Sequence, residues 1–86
     1  MHMERTRQSV RLSVFGPLTD LLGGGARELS LSFPTDAEAI RAELETAYPE
    51  LAGRRYQIAV DERIPPVSER IVAAEEVALL PPFAGG

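Results

Sequence analysis

Prolines close both ends of one amphipathic segment near the middle of this 86-residue sequence, and that segment limits the folds open to the chain. After Pro34, the run Thr35-Asp36-Ala37-Glu38 has the pattern of a capping box, in which the Thr35 hydroxyl and the Glu38 carboxylate satisfy the first backbone N–H groups of a helix. The spacing predicts a helix over residues 36–47, ended by Pro49. Its predicted buried side consists of Ala37, Ile40, Leu44 and Ala47, and its predicted solvent side of Glu38, Arg41, Glu43 and Glu45. Since a chain of this length holds a single core, the helix must cover a sheet built from the other segments.

Alternating apolar and polar residues predict two strands before the helix. The first strand is predicted over residues 9–15, with Phe15 on the face opposite the buried one, and the second over residues 28–33. Between them, residues 18–22 have the apolar spacing of a short helical turn. The three glycines at 23–25 favour a turn that lets the second strand return antiparallel to the first.

The sequence after the helix predicts a third strand, a weak edge segment and a final buried strand. The third strand is predicted over residues 56–60. Residues 64–67 contain two prolines, so they can pair only at a sheet edge, and residues 71–72 form a brief strand or turn. The continuous apolar run at 77–80 is typical of a strand buried on both faces, which places it in the middle of the sheet.

This order of elements predicts an α+β fold, the ubiquitin-like β-grasp, with a mixed sheet of four to five strands and one main helix packed on one face. We expect residues 1–8 to be a flexible N-terminus, residues 9–80 to be the β-grasp domain, and residues 81–86 to be an extended Gly-Gly tail.

The residue types that are missing exclude several kinds of site. There is no cysteine and no lysine, which excludes disulfides, thiolate nucleophiles, zinc-thiolate clusters, P-loop lysines and Schiff bases. The only histidine, His2, lies between two methionines at the start of the sequence, a pattern typical of a cloning remnant. We therefore expect no metal site and no histidine acid or base. Glu43, Glu45 and Glu50 are interpreted as a solvated helix face rather than as paired catalytic carboxylates.

The charge of the chain bears on its partners and its location. A net charge of -4 and a pI near 4.9 disfavour nucleic acid and anionic membrane surfaces, and favour partners with a basic surface. Arg5, Arg7 and Arg11 are not followed by the apolar stretch that a signal peptide requires, so we expect a cytoplasmic protein.

The last six residues are the strongest functional signal in the sequence. Pro81 and Pro82 block further sheet pairing, so the segment must leave the domain extended, and at roughly 3.3 Å per residue it reaches about 20 Å. Ala84, Gly85 and Gly86 carry almost no side chain, so the tail can thread a narrow channel and present its terminal carboxylate, with Phe83 as the apolar anchor. The alternative interpretation is an inert, frayed terminus.

Over residues 10–86 the sequence resembles the small subunits of molybdopterin synthase, the sulfur carriers of molybdenum cofactor biosynthesis. The resemblance is carried by Phe15-Gly16, by Ala39-Ile40 and Leu44, by Tyr48-Pro49, by Ile58-Ala59-Val60 and above all by Glu76-Val77-Ala78-Leu79-Leu80-Pro81-Pro82-Phe83-Ala84-Gly85-Gly86. Two turns depart from the family pattern. Asp61 replaces the usual Asn, and Ala74-Glu75-Glu76 replaces a Gly-Asp-Glu turn.

The resemblance implies a function and two protein partners. An activating enzyme would use ATP to adenylate the Gly86 carboxylate, and sulfur would then replace the adenylate to give a thiocarboxylate. The tail, Pro81 to Gly85, would insert into the synthase large subunit, where the sulfur passes to cyclic pyranopterin monophosphate. The chain itself would bind no cofactor and would be a sulfur-donating subunit that is not catalytic alone, consistent with its lack of a nucleophile or base array.

Other functions share the same features. The chain could be a sulfur carrier for thiamine, cysteine or tRNA thiolation, or a ubiquitin-like modifier whose terminal glycine is joined to lysines of target proteins. It could also be an interaction domain with an inert tail. Identifying the protein that copurifies with the chain would discriminate among these functions.

Overall fold

Four strands and two α-helices make up the fold in the computed structural model, which describes residues 5–82. In chain order the elements are β1 (Thr6–Val14), α1 (Leu18–Leu22), β2 (Ala26–Phe33), α2 (Ala37–Ala47), a 3₁₀ turn (Pro49–Leu51), β3 (Gln57–Val60) and β4 (Glu76–Leu80). Within these residues no helix has the length and apolar character needed to span a bilayer.

The sheet has the strand order β2-β1-β4-β3, so the last strand in the sequence lies inside the sheet. β1 runs antiparallel to β2 and parallel to β4, and β4 runs antiparallel to β3. The predicted α+β β-grasp fold, its mixed sheet and the central position of the last strand are confirmed. The described residues contain four strands, the lower of the two numbers predicted.

The core lies between α2 and one face of the sheet. Ile40 and Leu44 of α2 are fully buried against alternate residues of the strands, among them Leu12, Leu31 and Leu79. Burial of large aliphatic side chains contributes roughly 1.5 to 3 kcal/mol each. The burial of these strand residues confirms the predicted alternation of β1 and β2. The predicted buried side of the helix is confirmed only at its centre, because Ala47 is exposed and Ala37 is half-buried.

The first strand starts earlier than predicted. β1 begins at Thr6 rather than Ser9, and residues 6–8 pair with residues 31–33 of β2. Arg7 lies across β2, where its guanidinium donates to the Ser30 and Ser32 hydroxyls at 3.0 and 2.8 Å. Because residues 6–8 have no apolar alternation, the sequence pattern predicts a loose terminus there. In the structure, backbone pairing and polar contacts hold these residues in β1.

The outer edge of β2 is covered by side chains. Arg7 donates to the Ser30 carbonyl at 2.9 Å and to Glu43 Oε1 of α2 at 3.1 Å, and Glu43 Oε2 accepts the Ser32 backbone N–H at 3.3 Å. We call Arg7 and Glu43 the β2 edge clamp. Glu43 was predicted to face water, but it connects the helix to the sheet edge.

The predicted N-cap of α2 is wrong by one residue. Asp36, not Thr35, is the cap, and its Oδ1 accepts the Ala39 N–H at 2.8 Å. The backbone of Thr35 is engaged elsewhere, because it exchanges two 2.8 Å hydrogen bonds with Ile71. At residues 71–72, where a brief strand or turn was predicted, the structure forms this isolated bridge.

The weak edge strand predicted at residues 64–67 is not formed. This segment belongs to the connection between β3 and β4, where Pro65 is buried and its neighbours are exposed. Two consecutive prolines supply no N–H groups for a ladder, so no strand extends from the isolated Val60–Arg63 bridge.

Asp61 fixes the start of β4. It has φ +50°, its backbone N–H donates to the Glu76 carbonyl, and its Oδ1 accepts the N–H groups of Glu75 and Glu76, each at 3.0 Å. Asp61 thus connects the two turns in which the sequence departs from the molybdopterin synthase pattern. An Asn has an equivalent oxygen and tolerates this backbone conformation.

We predict that Asp61→Ala lowers the free energy of unfolding by about 1 to 3 kcal/mol, because two N–H groups lose their acceptor. Asp61→Asn is the matched control and should remain within about 1 kcal/mol of the parent chain. Urea denaturation measures both variants. Equal losses would show that the side-chain oxygen does not matter.

Candidate functional site at the root of the tail

The tail leaves the fold from the middle of the sheet. Leu80 ends β4 between β1 and β3, and the pairing continues one step further where the Phe15 N–H donates to the Leu79 carbonyl at 3.0 Å. Pro81 and Pro82 follow and are exposed. Of the predicted site residues these two are described, whereas Phe83, Ala84, Gly85 and Gly86 lie outside the described residues. Pro81 and Pro82, which we call the tail root, therefore follow directly on a strand that is paired on both sides as far as Leu79.

Gly16 contacts the first residue of the tail. Its φ is +66°, and a Cβ atom placed there would lie 3.0 Å from Pro81 Cγ and 3.2 Å from Pro81 Cδ. Thr19 holds the Gly16 carbonyl through both its N–H, at 3.0 Å, and its hydroxyl, at 2.8 Å. Only glycine combines this backbone conformation with so close an approach. The sequence pattern marks Gly16 as the end of a strand but does not reveal this contact.

A groove of about 430 Å³ lies beside the tail root. Its lining comes from the α1 region, from the chain after the 3₁₀ turn and from the tail itself: Pro17, Leu18, Asp20, Leu21, Arg54, Arg55, Pro81 and Pro82. We call it the tail-root groove. Gly53, with φ +82°, turns the chain so that the Arg54 N–H donates to the Leu51 carbonyl at 3.0 Å. Sequence reasoning did not predict this groove, because its parts come from three distant segments.

The sheet face opposite α2 carries small side chains where β3 and β4 pair. Ala59 and Ala78 pair directly on this face and are only 5% and 9% exposed. Val77 and Leu79 of β4 face the core on the other side of the sheet. Near the tail root Phe15 is 48% exposed, and the other exposed large apolar side chains of the described residues, Ile64, Val67 and Val72, lie in the connection between β3 and β4.

Tyr56 is the residue with a clearly shifted pKa among the described residues. Burial, together with its hydrogen bond to Glu45 at 2.9 Å, raises the pKa of Tyr56 to about 12. The Arg41 guanidinium, 4.5 Å from the ring centroid, acts in the opposite direction. Tyr56 therefore stays protonated near neutral pH and joins α2 to β3, which is a structural role.

Known proteins share both the sequence pattern and the fold. Residues 12–86 match the ThiS family, a range that runs from within β1 to the end of the tail. The chain belongs to the ThiS family. It is thus a small ubiquitin-like sulfur carrier, and the β-grasp fold found here is the one expected of this family.

Solved structures of similar fold come from archaea and bacteria. SAMP1, a small archaeal modifier protein from Haloferax volcanii, has a TM-score of 0.71 at 20% identity, covering 92% of this chain and 100% of its own. The putative molybdopterin converting factor subunit 1 from Pyrococcus furiosus has a TM-score of 0.73 at 18% identity, and the match covers 87% of this chain and 98% of the matched one. A complex of subunits 1 and 2 of molybdopterin-converting factor from Helicobacter pylori matches with a TM-score of 0.52 at 20% identity, covering 92% of this ThiS-family chain and 100% of the matched one. At these identities the likeness shows the shared fold.

We predict that Gly16→Ala destabilises the domain more than Gly25→Ala does. Both glycines have positive φ, so each substitution should cost about 1 to 2 kcal/mol in backbone strain. Only Gly16 faces Pro81, and this overlap should add about 1 to 3 kcal/mol. Urea denaturation of the two variants compares them directly. Equal losses would contradict a restraint of the tail by Gly16.

Proposed function

We propose that this chain is the sulfur-carrier subunit of a molybdopterin synthase and that Gly86 carries the sulfur. The observation that supports this most is the continuity between the central strand β4 and the Pro81-Pro82-Phe83-Ala84-Gly85-Gly86 tail. The start of the tail is positioned by the fold, because β1 pairs with β4 as far as Leu79, β3 pairs with it as far as Leu80, and Gly16 packs against Pro81.

In the proposed reaction, a Gly86 carboxylate oxygen attacks the α-phosphate of ATP in the activating enzyme, and pyrophosphate leaves. A sulfur nucleophile then attacks the carbonyl carbon and displaces AMP, which leaves a thiocarboxylate on Gly86. In the large subunit, the sulfur of this group passes to cyclic pyranopterin monophosphate. The chain's own contribution is to present the terminal group at the end of a slender, directed tail.

Two features support docking on a large subunit. A structural neighbour is the complex of subunits 1 and 2 of molybdopterin-converting factor. In this chain, half-exposed Phe15 and exposed Pro81 lie together beside the emerging tail, which offers apolar surface where an inserted tail must enter its partner. Apolar residues of this kind at the centre of an interface commonly dominate its affinity.

The ThiS-family match and the SAMP1 fold also support two other functions, sulfur transfer in another pathway and protein modification. Two assays distinguish them. Sulfur transfer from the thiocarboxylated chain to cyclic pyranopterin monophosphate, in the presence of the large subunit, is expected only for a molybdopterin synthase. A covalent product in which Gly86 is joined to a lysine of another protein indicates a modifier.

We predict that deleting Gly86 abolishes thiocarboxylate formation and leaves the domain folded. Intact-mass measurement after incubation with the activating enzyme, ATP and a sulfur source detects the replacement of one oxygen by sulfur. Thermal unfolding should be unchanged, since the core consists of residues between Val10 and Leu79. A truncated chain that accepts sulfur normally would overturn the role of Gly86.

We predict that Phe83→Ala weakens binding to the large subunit by about 2 kcal/mol, or about thirtyfold in Kd, because Phe83 is the one large apolar side chain of the tail. Val67→Ala is the control, since Val67 is 66% exposed in the connection between β3 and β4. Calorimetric titration measures both. Equal affinities for Phe83→Ala and the parent chain would show that Phe83 is not an anchor.

A further inference from the structure

The tail-root groove combines two cations with an apolar wall on an acidic protein. Arg54 and Arg55 line it together with Leu18 and Leu21, whereas the chain as a whole has a net charge of -4. Asp20 is the one acidic residue of the lining, so the groove itself keeps a positive charge. Its electrostatic character is therefore opposite to that of the whole molecule.

Most arginines of this chain are engaged in contacts within the fold. Ion pairs among residues 5–82 join Arg7 to Glu43, Arg11 to Glu76 and Arg63 to Glu69. Other arginines serve the fold differently. Arg5 donates to the Pro34 carbonyl, Arg27 donates to the Leu22 carbonyl, and Arg41 lies over the ring of Tyr56.

Arg54 and Arg55 differ from these arginines. Both are exposed, and within the described part of the chain neither side chain forms an ion pair or a hydrogen bond. Their backbone is nonetheless well positioned, because the 3₁₀ turn anchors it through fully buried Leu51 and through the hydrogen bond from the Arg54 N–H. Two guanidinium groups are thus presented from a fixed segment without an internal partner.

We propose that the tail-root groove docks an acidic segment of the enzyme that activates Gly86, with carboxylates on Arg54 and Arg55 and an apolar side chain against Leu18 and Leu21. Guanidinium groups bind carboxylates through charge-assisted and often bidentate hydrogen bonds, which give orientation as well as affinity. The inference rests on the proposed function only in that an enzyme activates Gly86, a step shared by the alternative carrier and modifier pathways.

The position of the groove suits the activation step. Pro81 and Pro82 belong both to the groove and to the tail, so a partner bound here contacts the first two residues of the tail. Gly86 lies four residues beyond Pro82, or about 13 Å in an extended chain. The proposed docking site and the reacting carboxylate are therefore separate parts of the chain.

The test is ATP–pyrophosphate exchange by the activating enzyme, with the concentration of the full-length chain varied. Arg54→Glu and Arg55→Glu should each raise the KM for the chain on the order of tenfold and change kcat less than twofold, because docking weakens while the reacting terminus is unaltered. Arg70→Glu is the matched control, since Arg70 is also exposed, lies outside the groove and makes the same change in net charge. Its KM should remain within twofold of the parent value.

Two further measurements separate local docking from general charge effects. The parent KM should rise with salt, and this rise should be smaller in Arg54→Glu and Arg55→Glu than in Arg70→Glu. Asp20→Asn should lower KM, because it removes the acidic residue of the groove lining.

Each contrary result has a distinct meaning. Unchanged KM values in Arg54→Glu and Arg55→Glu, or an equal rise in Arg70→Glu, would overturn docking in the groove and leave the sulfur-carrier proposal intact. No exchange with the parent chain would overturn activation of Gly86, and the docking inference with it. Circular dichroism confirms that the variants are folded, which is expected for exposed side chains.

Discussion

The pairing of β4 on both sides is the constraint on which the rest of the structure depends. β1 and β3 both hydrogen bond to this last strand, so the chain must complete nearly its whole length before the sheet can close. Val77 and Leu79 then complete the core beneath α2, and the same strand delivers the tail root. The closure of the sheet and the point at which the chain leaves it therefore depend on one set of backbone hydrogen bonds.

The functional region is built on this strand by contacts at both of its ends. Asp61 accepts the N–H groups that begin β4, and Gly16 allows Pro81 to pack closely where β4 has ended. Neither residue belongs to the tail, but Asp61 positions the start of β4 and Gly16 positions Pro81. Under the proposed function such a carrier would need few reactive side chains, because the chemistry would take place at its terminus.

Elements with a strong local pattern were predicted correctly, including the buried alternation of β1, helix α2 and the internal position of β4. Contacts between distant segments were not predictable from such patterns. The polar pairing of Thr6 to Gln8 has no apolar periodicity, the cap moved to Asp36 because Thr35 pairs with Ile71, and the tail-root groove combines residues from three segments. The tail was predicted from its composition; Pro81 and Pro82 follow β4 and are exposed, and the rest of the tail lies outside the described residues, so its role stays a prediction.

The β2 edge clamp has a consequence for self-association. An uncovered edge strand invites a second molecule to extend the sheet, which leads to dimers or aggregates. In this chain Arg7 occupies the Ser30 carbonyl and Glu43 occupies the Ser32 N–H, so an incoming strand would have to break both contacts and desolvate two charges. The clamp thus opposes extension of the sheet through β2 and favours a monomeric domain.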